Sequence, residues 1–332
     1  MISNLKIVAP CLLILLFGLS SNQLIPRALA QSTTHFDRKV ITPASDPTER
    51  FVIAGNTKLH YVDSGTGRPV VMIHGNAGDL HDFEFGTLDL LARDYRAMAF
   101  DLPGHGRSKM PRQAKGTIQE QAVTLHEAFT SLSIRNPILV GHSWGAAIAL
   151  AYALLYPHDI SALVLLAPAA YADHRQDAPA RFLVRIPLVG RLCIALAKPI
   201  LGRRLLKQAL KDAFSPDPVP NDYLDSAAAV WLERKHLEAF IKSDGTVDQS
   251  LQELSPQYRK ILAPVIIVTG DSDLAVSPEQ NAFKLNKAIM NSQLVVVPHA
   301  GHQIPQIHPE VVLRAVDMAA SNSSIAAARL DN

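Results

Sequence analysis

Ser143 lies in Gly141-His142-Ser143-Trp144-Gly145, directly after the apolar run Pro137-Ile138-Leu139-Val140 and directly before Ala146 and Ala147. A buried strand that stops at a serine and turns at once into a helix lifts the hydroxyl clear of the sheet in a strained backbone, where it can act as a nucleophile. Such a turn leaves little space two residues before and two after the serine, which accounts for the glycines. A G-x-S-x-G pattern also arises by chance, so context decides its meaning. An apolar run on one side and small helix-opening residues on the other supply that context.

A serine hydroxyl attacks a carbonyl when a base removes its proton, and a histidine base needs a carboxylate to hold its tautomer. Val268-Thr269-Gly270-Asp271-Ser272-Asp273 ends one downstream apolar run, and Pro298-His299-Ala300-Gly301-His302 follows the next, giving the order Ser, Asp, His. Asp273, three residues past Gly270, is the candidate orienting acid, and Asp271 is read as bracing the turn. His302 is the candidate base, because Gly301 leaves room at the loop tip and Gln303-Ile304-Pro305 leads into a helix; His299 is its competitor. Attack builds negative charge on the carbonyl oxygen, which preorganised backbone N–H groups stabilise. Trp144, next to the serine, is one candidate donor, and Asn76 in His74-Gly75-Asn76-Ala77-Gly78 is the other. The Trp144 indole either lines an acyl pocket or packs in the core.

The glycines and proline of Asp101-Leu102-Pro103-Gly104-His105-Gly106-Arg107-Ser108 specify a tight, ordered loop, so Asp101 and His105 are read as scaffold. The chain has no clustered Cys and His for zinc, no phosphate-cradling G-x-x-x-x-G-K and no dinucleotide fingerprint. Neither a metal nor a cofactor is expected.

The elements that must position these residues follow from the apolar runs. Phe51-Val52-Ile53 and Leu59-His60-Tyr61-Val62, separated by Gly55-Asn56, read as an antiparallel hairpin. Val70–Ile73, Ala97–Phe100, Ile138–Val140, Ala162–Leu166, Val265–Val268 and Leu294–Val297 are short and apolar at alternate positions on both sides, as buried parallel strands are. Helical patterns at about Leu80–Arg93, Ile118–Ser131, Trp144–Leu155, Pro278–Ile289 and Pro309–Ala320 lie between most of them. The alternation predicts an α/β fold with a mostly parallel, doubly wound sheet. It fails over residues 169–257, a helix-like stretch broken by prolines, which reads as a helical lid inserted after the sixth strand and over the carboxyl ends of the strands. The expected organisation is a signal segment (1–30), a linker (31–49), a core in two parts (50–168 and 258–322) around the lid, and a tail (323–332).

With 332 residues, 48% hydrophobic and 19% charged, the chain can bury one large core. Residues 1–30 contain Lys6, Arg27 and no acid, so the remainder holds 30 bases and 30 acids, which gives no electrostatic reason to expect a nucleic-acid partner. Lys6, the apolar stretch Ile7–Leu19 and Ala28-Leu29-Ala30 read as an export signal cut near Ala30, for a periplasmic or secreted protein; an uncleaved membrane anchor is the alternative. With the signal removed, Cys193 is the single thiol and no internal disulfide can form. From Arg175 to Lys211 nine Lys or Arg face one acid, Asp177, among Leu, Ile and Val. Such a stretch either makes peripheral contact with an anionic membrane or packs its apolar face on the site mouth. Oligomeric state leaves no mark in the pattern.

Together His74-Gly75-Asn76, the loop 101–108, Gly141–Gly145, Gly270 with Asp273, and Gly301-His302 resemble, in order, the motifs of the α/β-hydrolase superfamily, over about residues 51–320. The resemblance is to its capped esterase, lipase and peroxidase-like members. It implies a serine hydrolase with Ser143, Asp273 and His302 as a triad, an oxyanion hole of Asn76 and Trp144, and a small-molecule ester or related acyl substrate. Carbon–carbon bond hydrolysis, cofactor-free haloperoxidase or perhydrolase chemistry, and a ligand-binding protein without turnover are the alternatives. Epoxide hydrolases and haloalkane dehalogenases are similar in cap and loops but carry aspartate where this chain has Ser143.

Overall fold

The computed structural model describes residues 50–330 apart from 77, 173–203, 205 and 232. The expected signal, its linker, Cys193 and most of the basic stretch lie outside the described residues. Eight strands form one sheet in the order β1-β2-β4-β3-β5-β6-β7-β8. β1 (Arg50–Ala54), β2 (Thr57–Ser64) and β4 (Arg96–Phe100) pair antiparallel. β4, β3 (Pro69–Ile73), β5 (Ile138–His142), β6 (Ala162–Leu166), β7 (Val265–Gly270) and β8 (Ser292–Val297) run parallel.

The two-sided apolar runs do what their pattern requires except Leu294–Val297, which forms the edge strand β8 and is only partly buried, with Val296 exposed. Val71, Ile73, Leu139, Leu163 and Ile267 join one buried cluster with α3 (Ile118–Ser131) and α4 (Trp144–Leu155). Val70, Met72, Val140, Val164 and Ile266 join another, with Phe83 of α1 (His81–Glu84), Leu88 of α2 (Thr87–Leu91) and Val312 and Val316 of α9 (Pro309–Leu330). Successive residues of a strand point to opposite faces, so helices on both sides are needed to dry them. α3 starts at Thr117, whose hydroxyl accepts from the Glu120 N–H at 3.2 Å, while the Glu120 carboxylate accepts from Gly116 N–H at 2.8 Å.

Three elements differ from the sequence reading. The helix expected over Leu80–Arg93 is broken into α1 and α2 at Gly86, whose φ of 125° no helix tolerates. α7 (Ala282–Ala288) begins four residues after Pro278, where the pattern placed its start, and α9 continues through Leu330 into the expected tail.

The lid does lie between β6 and β7. Its described part comprises a helical stretch over 206–214, α5 (Asn221–Trp231) and α6 (Arg234–Leu254), followed by a 3₁₀ turn over Ser255–Lys260. Leu206, Leu210, Phe214, Tyr223 and Trp231 form a small core of their own, while Lys207 and Lys211 are exposed. His236, Ala239, Phe240, Ser243, Ser250, Leu251 and Leu254 are the buried stripe of α6. Leu251, Leu254 and Tyr258 extend that stripe into the main core, so the lid's last turns belong to the sheet-covering layer. No described helix is long and apolar enough to cross a membrane.

The chain leaves β3 for β4 on one side and reaches β5 on the other. The crevice at the carboxyl ends of β3 and β5 is therefore the switch point where open α/β sheets bind ligands. Packing there is close: a Cβ on Gly145 would overlap the carbonyl oxygens of Ile73 and His74. Gly145→Ala is expected to destabilise the fold by about 3 kcal/mol. A urea unfolding midpoint within error of wild type would contradict this placement.

Candidate active site

Ser143 occupies the bend between β5 and α4 with φ 54° and ψ −115°, a conformation that costs a non-glycine residue about 1–3 kcal/mol. Three hydrogen bonds hold it there. Its N–H donates to the Leu166 carbonyl at 2.9 Å, and its own carbonyl accepts from Ala146 and Ala169, each at 3.1 Å. Trp144 is the first residue of α4 and carries one of the N–H groups that a helix start leaves without an intrahelical acceptor.

The turn after β3 lies directly against the serine: a side chain on Gly75 would touch the Ser143 Cβ at 3.4 Å. This turn is fastened through its carbonyls. Gly78 N–H donates to Gly75 O at 3.0 Å, His74 Nδ1–H donates to the same oxygen at 2.7 Å, and His105 Nε2–H donates to Asn76 O at 2.8 Å. The other nitrogen of His74 accepts from Leu102 N–H at 3.0 Å, which defines a neutral ring with its proton on Nδ1. Burial lowers the proton affinity of His74, and burial followed by the proximity of His236 and His74 holds His105 well below the usual histidine range. Both rings therefore act as uncharged bridges at neutral pH.

On the far side of Ser143, His302 Nδ1–H donates to Asp273 Oδ2 at 2.8 Å, and both side chains are buried. The second oxygen of Asp273 accepts from Ala275 and Val276 N–H at 2.8 and 2.9 Å. With its Nδ1–H committed to Asp273, His302 is left with Nε2 as the ring nitrogen that can accept a proton. Asp271 and His299 are elsewhere: Asp271 Oδ1 accepts from His299 N–H at 2.8 Å in an exposed turn.

The structure thus joins Asp273 to His302 directly. Between Ser143 and His302 the described residues make no direct hydrogen bond, and catalytic contacts of this kind often close only around substrate. What joins the two sides is His142. Its Nε2–H donates to the His302 carbonyl at 2.9 Å, and the two imidazoles lie 4.9 Å apart. Burial, followed by the neighbouring His302, pushes His142 down to about 3. His302 N–H also donates to the Ala213 carbonyl at 3.2 Å, so the lid touches the loop of the candidate base.

A family model described as "alpha/beta hydrolase fold" matches residues 68–308, a span that holds every residue of the candidate site. The chain belongs to the α/β-hydrolase family. Relatives include a 2-hydroxy-6-oxo-6-(2'-aminophenyl)hexa-2,4-dienoic acid hydrolase of Metapseudomonas resinovorans, 26% identical over 267 residues that cover 79% of this chain and 87% of the relative. Lipase 1 of Psychrobacter immobilis is 26% identical over 299 residues, covering 85% and 86%. Among solved structures, the 2-hydroxy-6-oxo-6-phenylhexa-2,4-dienoate hydrolase of Rhodococcus sp. strain RHA1 superposes with a TM-score of 0.69 at 18% identity, covering 83% of this chain and 99% of that one. That likeness is one of fold.

In this α/β hydrolase the loop 101–108 is a scaffold, as its composition implies, and its rigidity has a specific source. Asp101 is fully buried and accepts from Leu80 N–H, Arg107 N–H and His60 Nδ1–H at 2.9, 2.7 and 2.8 Å. Two residues carry more than the sequence reading gave them. His142 stands at a variable position of its motif, and His105, set aside as scaffold, grips the carbonyl of Asn76. The glycines on both sides of His105 were the signal that its ring enters a crowded space.

His142 is neutral in the fold near pH 6, whereas an unfolded chain binds a proton there, so its contribution is complete above pH 6.5 and is lost as the pH falls toward 3. The loss is on the order of a few kcal/mol across that window. Glutamine keeps an N–H for the His302 carbonyl and cannot titrate. The stability of His142→Gln, measured by denaturant unfolding between pH 7 and pH 4, is expected to fall less steeply than that of wild type; parallel curves would refute the assignment.

Proposed function

We propose that this α/β hydrolase is a serine hydrolase of carboxylic esters of small to medium apolar substrates, acting through an acyl-enzyme on Ser143. The observation that carries the reading is the buried 2.8 Å hydrogen bond of His302 to Asp273, set across from a strained Ser143 on a shared rim. In this scheme Ser143 Oγ attacks the ester carbonyl while His302 Nε2 takes its proton. Asp273 holds the Nδ1–H and stabilises the imidazolium. The N–H groups of Trp144 and Asn76 receive the oxyanion, His302 passes its proton to the leaving alcohol, and a water activated by His302 then releases the acid. No step calls for a metal or an organic cofactor.

A second reading, hydrolysis of a carbon–carbon bond next to a ketone, is supported by the relative named as a dienoic acid hydrolase. It uses the same serine and base on a different leaving group. The proposal extends to place: residues 1–30 act as an export signal, and the basic stretch Arg175–Lys211 is a candidate contact with a lipid surface.

Ser143 is expected to label with a fluorophosphonate, and Ser143→Ala to abolish labelling and lower kcat for p-nitrophenyl esters by at least about 10⁴-fold. Asp273→Asn, which reverses the histidine tautomer, should cost a comparable factor of about 10⁴. An unlabelled protein, with no hydrolysis across a chain-length series from acetate to palmitate, would rule out the esterase reading. Turnover of a vinylogous diketone in place of esters would favour the second, and a preference for long acyl chains would assign the basic stretch to a membrane surface.

A further inference from the structure

The turn 75–78 beside Ser143 has a support that the reaction scheme leaves unused. Asp82 in α1 is buried, and its carboxylate is packed so closely on Gly78 that a Cβ there would overlap it. The Tyr223 hydroxyl donates to Asp82 Oδ1 at 2.6 Å. Tyr223 belongs to α5 of the lid, and its ring meets Phe85 edge-on at 5.1 Å and Phe214 at 5.0 Å. One hydrogen bond therefore connects the lid's aromatic cluster to the back of the turn whose front faces the serine.

We propose that Tyr223 and Asp82 form a positioning pair, in which the lid hydroxyl holds the Asp82 carboxyl against Gly78 and so fixes the Asn76 N–H relative to Ser143. The inference rests on the ester-hydrolase reading above. The turn is pinned at three places: Gly75 O by His74, Asn76 O by His105, and Gly78 by Asp82. The first pin belongs to the core, and the second lies in the core loop 101–108 with its ring 5.0 Å from that of His236 of α6. The third answers to the lid, so a lid seated over substrate and an aligned oxyanion donor are one event. Asp79 and His81 of its own segment, Tyr223 of α5 and Gln306 of α8 (Ile304–Ile307) face Asp82. Burial, followed by Asp79, pushes the Asp82 carboxyl up to about 7, while burial keeps the Tyr223 proton in place far above its usual range.

Tyr223→Phe removes the hydroxyl and leaves the ring among its aromatic neighbours. With p-nitrophenyl butyrate its kcat is expected to fall about tenfold, with KM within about twofold of wild type, since a small misplacement of a catalytic group slows chemistry more than binding. Asp82→Ala should lose at least as much, and the double variant no more than Asp82→Ala alone, because the two residues act as one unit. Asp82→Asn, which keeps an oxygen for the hydroxyl, should recover most of what Asp82→Ala loses, and this arm decides the matter if Asp82→Ala does not fold. A Tyr223→Phe enzyme with kcat within about twofold of wild type, or losses that multiply in the double variant, would overturn the pair while fluorophosphonate labelling of wild type leaves the serine mechanism standing. A wild type that neither labels nor hydrolyses esters would overturn both.

Discussion

A non-glycine residue held at φ 54° and ψ −115° is the constraint around which the rest of this structure is arranged. Left to itself the backbone at Ser143 would relax by about 1–3 kcal/mol, so the surroundings must make relaxation impossible. They do so from both sides. β5 is locked between β3 and β6, with His142 paired to Leu166, and Ser143 continues that ladder by donating to the Leu166 carbonyl. α4 is buried continuously from Trp144 through Ala153, so the helix cannot shift to ease the bend. Close packing is what converts a local strain into a fixed orientation, because a core at crystal-like density has no slack to absorb it.

Around that bend the protein uses uncharged imidazoles where a water or a salt bridge would be less exact. His74 and His105 fasten the turn after β3, and His142 fastens the elbow to the loop of His302. Each is fully buried or nearly so, and burial keeps each neutral, so each offers one N–H in a defined direction without the desolvation cost of an ion. Two of the buried acidic side chains follow the complementary rule. Asp101 and Asp273 each accept three hydrogen bonds, two from backbone N–H groups and one from an imidazole, which repays their removal from water. The consequence is a site whose loops come from distant parts of the chain and yet are tied to one another by short, directional contacts.

The strands, the elbow and the Asp273–His302 pair were legible in the sequence because each rests on local chemistry. Apolar runs of four or five residues bounded by turn residues leave few alternatives to buried strands, and α3 and α4 begin and end where their patterns do. The choice of Asp273 over Asp271 was also local, since an acid beside the strand end is placed to brace a turn, and Asp271 does so through the His299 N–H. What could not be read depends on encounters across the chain. His142 looks like filler until the fold brings it to a carbonyl 160 residues away. Asp82 and Tyr223 are 141 residues apart, and nothing near either one points to the other. Gly86 was visible as a residue, but its φ of 125° is imposed by how α1 and α2 must each meet the sheet.

The lid is tied to the loops of the candidate site by direct contacts. Ala213, at the end of the 206–214 stretch, accepts the N–H of His302, and Gly301 passes so near the Phe214 and Ser215 carbonyls that a side chain there would collide. A substitution at Phe214, in the lid's own core, therefore also bears on the peptide that carries the candidate base. The reverse holds as well, because Tyr223 reaches the turn on the opposite side of the serine. In a hydrolase whose lid were joined to the core only by two hinges, pocket residues could drift freely while the chemistry stayed constant. Here the lid contacts one segment on each side of Ser143, the loop of His302 through Ala213 and Asp82, behind the turn after β3, through Tyr223, so a change in the lid bears on both. The lid's last turns, Leu251, Leu254 and Tyr258, are built into the main core, and close packing gives that part of the lid the rigidity of the layer that covers the sheet.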